Sequence, residues 1–431
     1  MIYWAQLFHF YQPATQLPSV LEKICNESYR PLLEVFREYP QARATVNINA
    51  VLTEMLKDCG HNDVIQGLKE LAAKGQIEIT STGKYHPILP LIPPEEAKRQ
   101  IELNHKTNAY FFGSAYQPSG FFPPEMAYSG DVIKPVMDTG HRWIIISGVA
   151  CPTEWPKDTI YQLEHDEKRL AVFFRDDLLS NRISFQEFGP KDFLDHLHSL
   201  KGEKEDIYVV TAMDAETYGH HIKDWEEIFL AAVYEEIQAR SETYAHIRQK
   251  KVLASQYSTL LKDEASAQQV KTATISQLLD IFPIGGVVDP KPSSWSTSSE
   301  DIESGNPYPL WQDKGNEIHR LLWEHLGICI ELCSASTKLA DNDESKHFAG
   351  IARGMLDRSC QSDQFWWASR RPMWDINLVH MGLDDQHRAI VNAYRAISTS
   401  GADGQVKSDF YNKLLPARDL RNKIIDLLFI P

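Results

Sequence analysis

The 431-residue chain lacks the marks of several large protein classes. Its six cysteines, Cys25, Cys59, Cys151, Cys329, Cys333 and Cys360, form no C-x-x-C pair and are too sparse for a disulfide-stapled domain. Cys329 and Cys333 stand four apart in a helical pattern, which suits core packing better than metal ligation. Such usage favours a reducing, cytoplasmic setting. The 16 histidines include neither H-E-x-x-H nor H-x-x-x-H, so no metal site is expected. Basic side chains are outnumbered, 44 against 59 acidic, for a net charge of −15. That balance argues against nucleic acid or an anionic membrane as partner and leaves room for a neutral polymer. No apolar run approaches the roughly 20 residues that span a bilayer. The opening M-I-Y-W-A-Q-L-F-H-F-Y-Q-P has neither the charged region nor the cleavage site of a signal peptide. Internal repeats and low-complexity tracts are absent too.

What remains is an ordinary core-forming composition, 43% hydrophobic and 24% charged, in a chain longer than one average domain. The first half alternates two periods. Residues 2–8 form an apolar run tipped by His9, and residues 43–48, 77–80 and 143–147 read as further strands. Between them, residues 19–39, 64–73 and 95–112 carry helical apolar spacing, the last opening after Pro93-Pro94. Residues 160–185 break into shorter extended runs, read as a hairpin-like insertion that feeds a loop with Arg175, Asp176 and Ser180. Such alternation predicts a parallel sheet whose carboxyl-end loops carry the site. A Pro- and Gly-rich stretch near residues 283–292 marks a change of character. Beyond it, residues 316–340, 344–369, 376–397 and 406–428 are helical. The expected architecture is a barrel-like α/β domain over residues 1–290 and a helical domain over residues 291–431.

The chemistry is expected at strand ends. D-I-Y-V-V-T-A-M-D-A-E-T-Y-G-H-H, residues 206–221, is a β-branched run that terminates in Asp214 and Glu216, followed by His220 and His221. If the strand runs on, Asp214 and Glu216 share one face. In G-F-F-P-P-E-M-A-Y-S, residues 120–129, one carboxyl, Glu125, stands in a stiff frame of two prolines and two aromatics. A rigid apolar wall holds a carboxyl and adjusts its proton affinity. Two isolated strand-end carboxyls, Glu125 and Asp214, suit the cleavage of glycosidic bonds. His9, Gln12 and His86 stand in the loops after the first and third strands.

Taken in order, these segments resemble the motifs of glycoside hydrolase family 57, an α-amylase-like family acting on α-glucans. G-Q-I-E-I-T-S-T-G-K-Y-H-P-I-L-P-L, residues 75–91, is similar to its second motif, F-P-P-E-M-A-Y-S to its third and A-M-D-A-E-T-Y-G-H-H to its fourth. The first motif departs from H-x-H-Q-P: it reads His9-Phe10-Tyr11-Gln12-Pro13, with Tyr11 where a second histidine is usual. Tyrosine can still donate to a sugar hydroxyl and stack on a ring.

The resemblance implies an incomplete (β/α)7 barrel followed by a C-terminal helical domain that completes the active-site cleft. It implies a double displacement with retention, Glu125 as nucleophile and Asp214 as general acid/base, without metal or organic cofactor. Substrate contacts are expected from His9, Tyr11, Gln12, His86, Phe122, Arg175, Asp176, Glu216, His220 and His221, with Trp295 and Trp311 as sugar-stacking platforms. The expected partner is an α-glucan, and the sequence gives no oligomeric state. Two alternatives stand beside hydrolysis. One is a 4-α-glucanotransferase or branching-type transglycosylase, which differs in whether water or a sugar hydroxyl takes the second step. The other, motivated by Tyr11, is a non-catalytic carbohydrate-binding homologue.

Overall fold

The computed structural model of the chain describes residues 1–253, 269–371 and 373–429. It divides into two compact units. The first comprises Met1–Gln12, Gln16–Lys84 and Pro93–Trp295, the second Pro13–Thr15, Tyr85–Ile92 and Ser296–Pro431.

The first unit is built on β1 (Ile2–Phe10), β2 (Ala44–Ile48), β3 (Ile77–Thr80), β4 (Gly120–Phe121), β5 (Trp143–Ser147), β6 (Ile160–His165), β7 (Lys168–Arg175) and β8 (Ile207–Asp214), with β9 (Val270–Ala273) and β10 (Ile284–Val287) after them. β8, β1, β2 and β3 pair in parallel, as do β4, β5 and β7. A parallel bridge between Ser81 and Phe121 joins β3 to β4. The Asp176 amide donates to the Val210 carbonyl at 2.8 Å, tying the end of β7 to β8. Seven parallel strands therefore follow one another around an incomplete (β/α)7 barrel. β1 shares one edge between two partners, β9 along Ile2–Ala5 and β2 along Leu7–Phe10.

Period-two geometry sorts the side chains. On β1 and β8, Trp4, Phe8, Ile207, Val209 and Met213 join the outer layer with helix residues such as Leu32, Leu33 and Phe36. Ala5, Leu7, Tyr208, Val210 and Ala212 fill the barrel interior with Phe122, Ile145 and Phe173. His9 and Asp214 continue that inward series to the carboxyl ends. Strands buried on both faces read as unbroken apolar runs, so only their polar tips distinguish the site end.

Several elements differ from the sequence expectation. β6 and β7 form the antiparallel hairpin, yet β7 is no mere insertion: it is a barrel strand between β5 and β8. β4 has two residues, too few for any periodic signal, and it is dictated by its neighbours. Gly120 is required there, since a Cβ would fall 1.9 Å from the Trp143 ring. The Gly285-Gly286 stretch, expected as a break, lies in β10 on the edge beside β6. The long helix expected over residues 19–39 is interrupted by a π-helical turn, Cys25–Tyr29.

The second unit is helical, with Glu317–Leu339, Asp343–Ser359, Ile376–Thr399 and Gly404–Leu428 as its long members. Asn316, Asn342, Asp375 and Asp403 cap their amino ends by accepting from backbone amides. The expected helix over 344–369 stops at Ser359. Cys360 accommodates the end, and Gln361 instead bridges to Pro87. Cys329 and Cys333 are buried in this unit. Among the described residues no helix is long and apolar enough to cross a membrane.

Candidate active site

Strand register sets the first layer of the site. His9 stands opposite Asp214 on β8 and opposite Asn47 on β2, and Asn47 stands opposite Thr80 on β3. All four are inward positions at the carboxyl ends. Asn47 donates from Nδ2 to Thr80 Oγ1 at 3.1 Å, which turns its Oδ1 toward His9 Nδ1 at 2.7 Å. An amide oxygen can only accept, so His9 carries its proton on Nδ1 and keeps Nε2 as an acceptor when neutral. Burial lowers the His9 pKa, opposed by the charge of Asp214 and the bond to Asn47. Its ring lies nearly parallel to Phe122, with centroids 4.7 Å apart, and to Tyr11 at 6.0 Å.

Glu125 sits in a tight turn after β4. It and Met126 both adopt left-handed backbone, φ 58 and 49, a conformation that costs about 1 kcal/mol or more per non-glycine residue and persists only where its surroundings impose it. Those surroundings are visible. Pro123 and Pro124 precede the turn, and Phe122, Pro124 and Met126 are buried around it. The segment 293–295 then pairs alongside: Tyr128 and Ser293 exchange backbone bonds at 2.8 and 3.1 Å, and the Trp295 amide donates to the Glu125 carbonyl at 3.1 Å. The Trp295 indole Nε1 donates to Glu125 Oε2 at 2.8 Å. Its ring meets His9 and Phe122 edge-on, with both centroid separations 5.9 Å.

Asp214 ends β8 partly exposed. Burial raises its pKa, opposed by His9 and then Arg175. Glu216 lies beyond the strand in the turn Ala215–Thr217, so the two carboxyls do not share a strand face as period two suggested. It is buried, accepting from Gln12 Nε2 at 2.8 Å and from the Tyr29 hydroxyl. Burial, then the charge of Asp214, pushes Glu216 up to about 8, against the pull of those two bonds.

The π-helical turn explains how this loop is held. Ser28 Oγ donates to the Ala215 carbonyl at 2.9 Å, Tyr29 reaches Glu216, and Glu27 Oε2 pairs with His220 Nδ1 at 2.6 Å. Gly219, at φ 102, passes so near that a Cβ would fall 1.8 Å from the Glu27 carbonyl oxygen. Single π turns inside helices often occur at functional sites because they re-aim side chains. Residues 27–29 and Asn47 were not singled out in the sequence. A π turn leaves no periodic trace, although the polar Asn47 in the apolar strand T-V-N-I was a usable signal.

The other expected contacts have definite places. Arg175 is buried, donating from Nε to the Ala212 carbonyl at 2.7 Å and from its terminal nitrogens to Asp177 and Asn181. Asp176 caps the helix Asp177–Ser184 and pairs with Lys157 at 2.7 Å. His221 is exposed beside His220. His86 and Trp311 belong to the second unit. There His86, at φ 56, bonds through Nδ1 to Ser362 Oγ at 2.9 Å. Trp311 is buried, and its carbonyl accepts from the Trp323 indole at 2.8 Å. The structure thus gathers His9, Tyr11, Gln12, Phe122, Glu125, Asp214, Glu216 and Trp295 within the barrel unit. No group of three or more His, Cys, Asp or Glu side chains among the described residues is arranged to hold a metal ion.

Known proteins resemble the chain in both sequence and fold. An α-amylase from Pyrococcus horikoshii is 29% identical over 219 residues, 49% of this chain and 33% of that protein. A 4-α-glucanotransferase from Thermococcus litoralis is 26% identical over 219 residues, 49% of this chain and 32% of that protein. The chain thus spans about a third of the length of the curated relatives it matches. In three dimensions it superposes on a branching enzyme from Thermococcus kodakaraensis with a TM-score of 0.71 at 15% identity, covering 97% of this chain and 95% of that one. The model of glycosyl hydrolase family 57 matches residues 5–266, more than half of the sequence, and the chain belongs to that family.

Proposed function

We propose that this protein acts on α-glucans as a retaining glycoside hydrolase, with Glu125 as nucleophile and Asp214 as general acid/base. The observation that carries the reading is the contrast between the two carboxyls at the barrel's carboxyl end. Glu125 accepts a hydrogen bond from the Trp295 indole, which favours its ionised form. Asp214 is pushed toward its protonated form by burial. Two carboxyls whose surroundings separate their proton affinities divide naturally into nucleophile and acid.

In the first step Asp214 protonates the leaving glycosidic oxygen while Glu125 attacks the anomeric carbon, giving a glycosyl-enzyme. The ionised Asp214 then takes a proton from the incoming water, which releases the sugar from Glu125. His9, whose pKa burial lowers, stands at the strand ends as a proposed contact for a sugar hydroxyl. Tyr11, stacked beside it, offers ring surface suited to the apolar face of a hexose, whereas Phe122 is buried against the His9 ring. His220 and His221 stay as proposed substrate contacts, His86 and Trp311 are buried within the second unit, and Arg175 and Asp176 act through the protein groups they bond. The sparse cysteines, with no C-x-x-C spacing, suit a reducing, cytoplasmic setting.

The relatives named 4-α-glucanotransferase favour one second reading, transglycosylation, in which a sugar hydroxyl replaces water. Maltooligosaccharides incubated with the full chain, with and without a chelator, test both. Shortened products of retained α configuration, unaffected by chelation, support hydrolysis, and products longer than the substrate support transfer. Glu125→Ala should lose turnover and regain part of it with azide as a glycosyl azide of inverted configuration. Undiminished turnover by that variant, or inverted products from the wild type, would refute the assignment.

A further inference from the structure

The barrel unit ends in a segment that does more than close its edge. Residues 293–295 lie antiparallel to 125–128, and the register delivers the Trp295 backbone amide to the Glu125 carbonyl and the Trp295 indole to its carboxylate. One residue therefore grips both ends of Glu125, whose own backbone is left-handed. The indole is itself held: its ring lies edge-on to His9 and Phe122, and His9 is fixed by Asn47. Tryptophan has a single polar atom, a donor that cannot accept. Its bond to a carboxyl oxygen is stronger when the carboxyl is ionised, and so favours that form.

We infer that Trp295 is the positioning residue of the nucleophile, orienting the Glu125 carboxylate and keeping it ionised. This rests on the reading of Glu125 as nucleophile and goes beyond the sugar-stacking role that the sequence resemblance implies for Trp295. The bond to Oε2 limits how the Glu125 carboxylate can turn. It also sets a limit on catalysis in acid, because without the donor the carboxylate gains a proton more readily.

The experiment compares the full chain with Trp295→Phe and with a variant carrying benzothienyl-alanine at 295, which keeps the bicyclic shape and replaces N–H by sulfur. On a maltooligosaccharide, both should lower kcat by about ten- to a hundredfold, the scale of a charge-assisted hydrogen bond, with KM within about twofold. Both should also move the acid limb of the kcat/KM profile upward by about half a pH unit or more. The isosteric variant decides the matter if the phenylalanine variant does not fold. An unmoved acid limb, or a loss confined to KM, would overturn the proposal and leave Trp295 a sugar platform. Glu125→Ala run alongside separates the two levels: if it keeps wild-type turnover, the nucleophile reading itself fails.

Discussion

His9 and Asp214 stand opposite one another in the register of β1 and β8, and each opposes what burial does to the other. Burial lowers the His9 pKa while Asp214 raises it, and burial raises the Asp214 pKa while His9 lowers it. The pair is thus poised by one strand contact, at the end of the barrel strands where the inward series turns polar on both partners.

Asp214→Ala is expected to lower kcat/KM on a maltooligosaccharide by about a hundred- to ten-thousandfold, the usual worth of a positioned general acid. A glucosyl fluoride, whose leaving group needs no proton, should lose far less in the first step. Equal losses on both substrates would argue against the acid role.

Glu216 gives a stability signature. A carboxyl raised from 4.5 to about 8 by folding binds its proton more tightly when folded, so it withdraws stability as pH rises through that window. Glu216→Gln keeps the shape without the charge. Its melting temperature should exceed that of the wild type increasingly from about pH 5 to pH 8 and match it more nearly in acid. Parallel melting curves across that range would show that Glu216 is not perturbed.

Gly219→Ala tests the clamp on the loop after β8. At φ 102, with the Glu27 carbonyl oxygen 1.8 Å from where the new methyl would stand, alanine has neither the conformation nor the space. A destabilisation above about 2 kcal/mol is expected in denaturant titration, with a loss of turnover. A stable, active variant would mean that the contact with Glu27 yields easily.

Ser293→Pro removes the amide that donates to Tyr128. A lost backbone bond in a paired segment should cost about 1–3 kcal/mol and reduce kcat, since Trp295 follows two residues later. Unchanged kinetics would show that the pairing does not govern the position of Trp295.

The sequence by itself determined the faces of the principal strands and helices. The inward series on β1 and β8 ends in His9 and Asp214 because a period of two leaves no other choice, and Glu125 stands out because prolines and aromatics on either side are a local property. The apolar stripes of the helical region are local as well. Tertiary structure alone decided the partners. β4 is a strand only because Ser81 and Trp143 flank it, and β7 is a barrel strand because β5 and β8 are its neighbours rather than because of its own pattern. Asp214 and Glu216, two apart, fall in different environments because the chain turns at Ala215 and a π turn 187 residues earlier receives Glu216. Trp295, 170 residues from Glu125, meets it through inter-segment register. Local periodicity encodes which way a side chain faces, whereas a hydrogen bond between distant segments depends on how whole strands and loops align, and no short window of sequence carries that alignment.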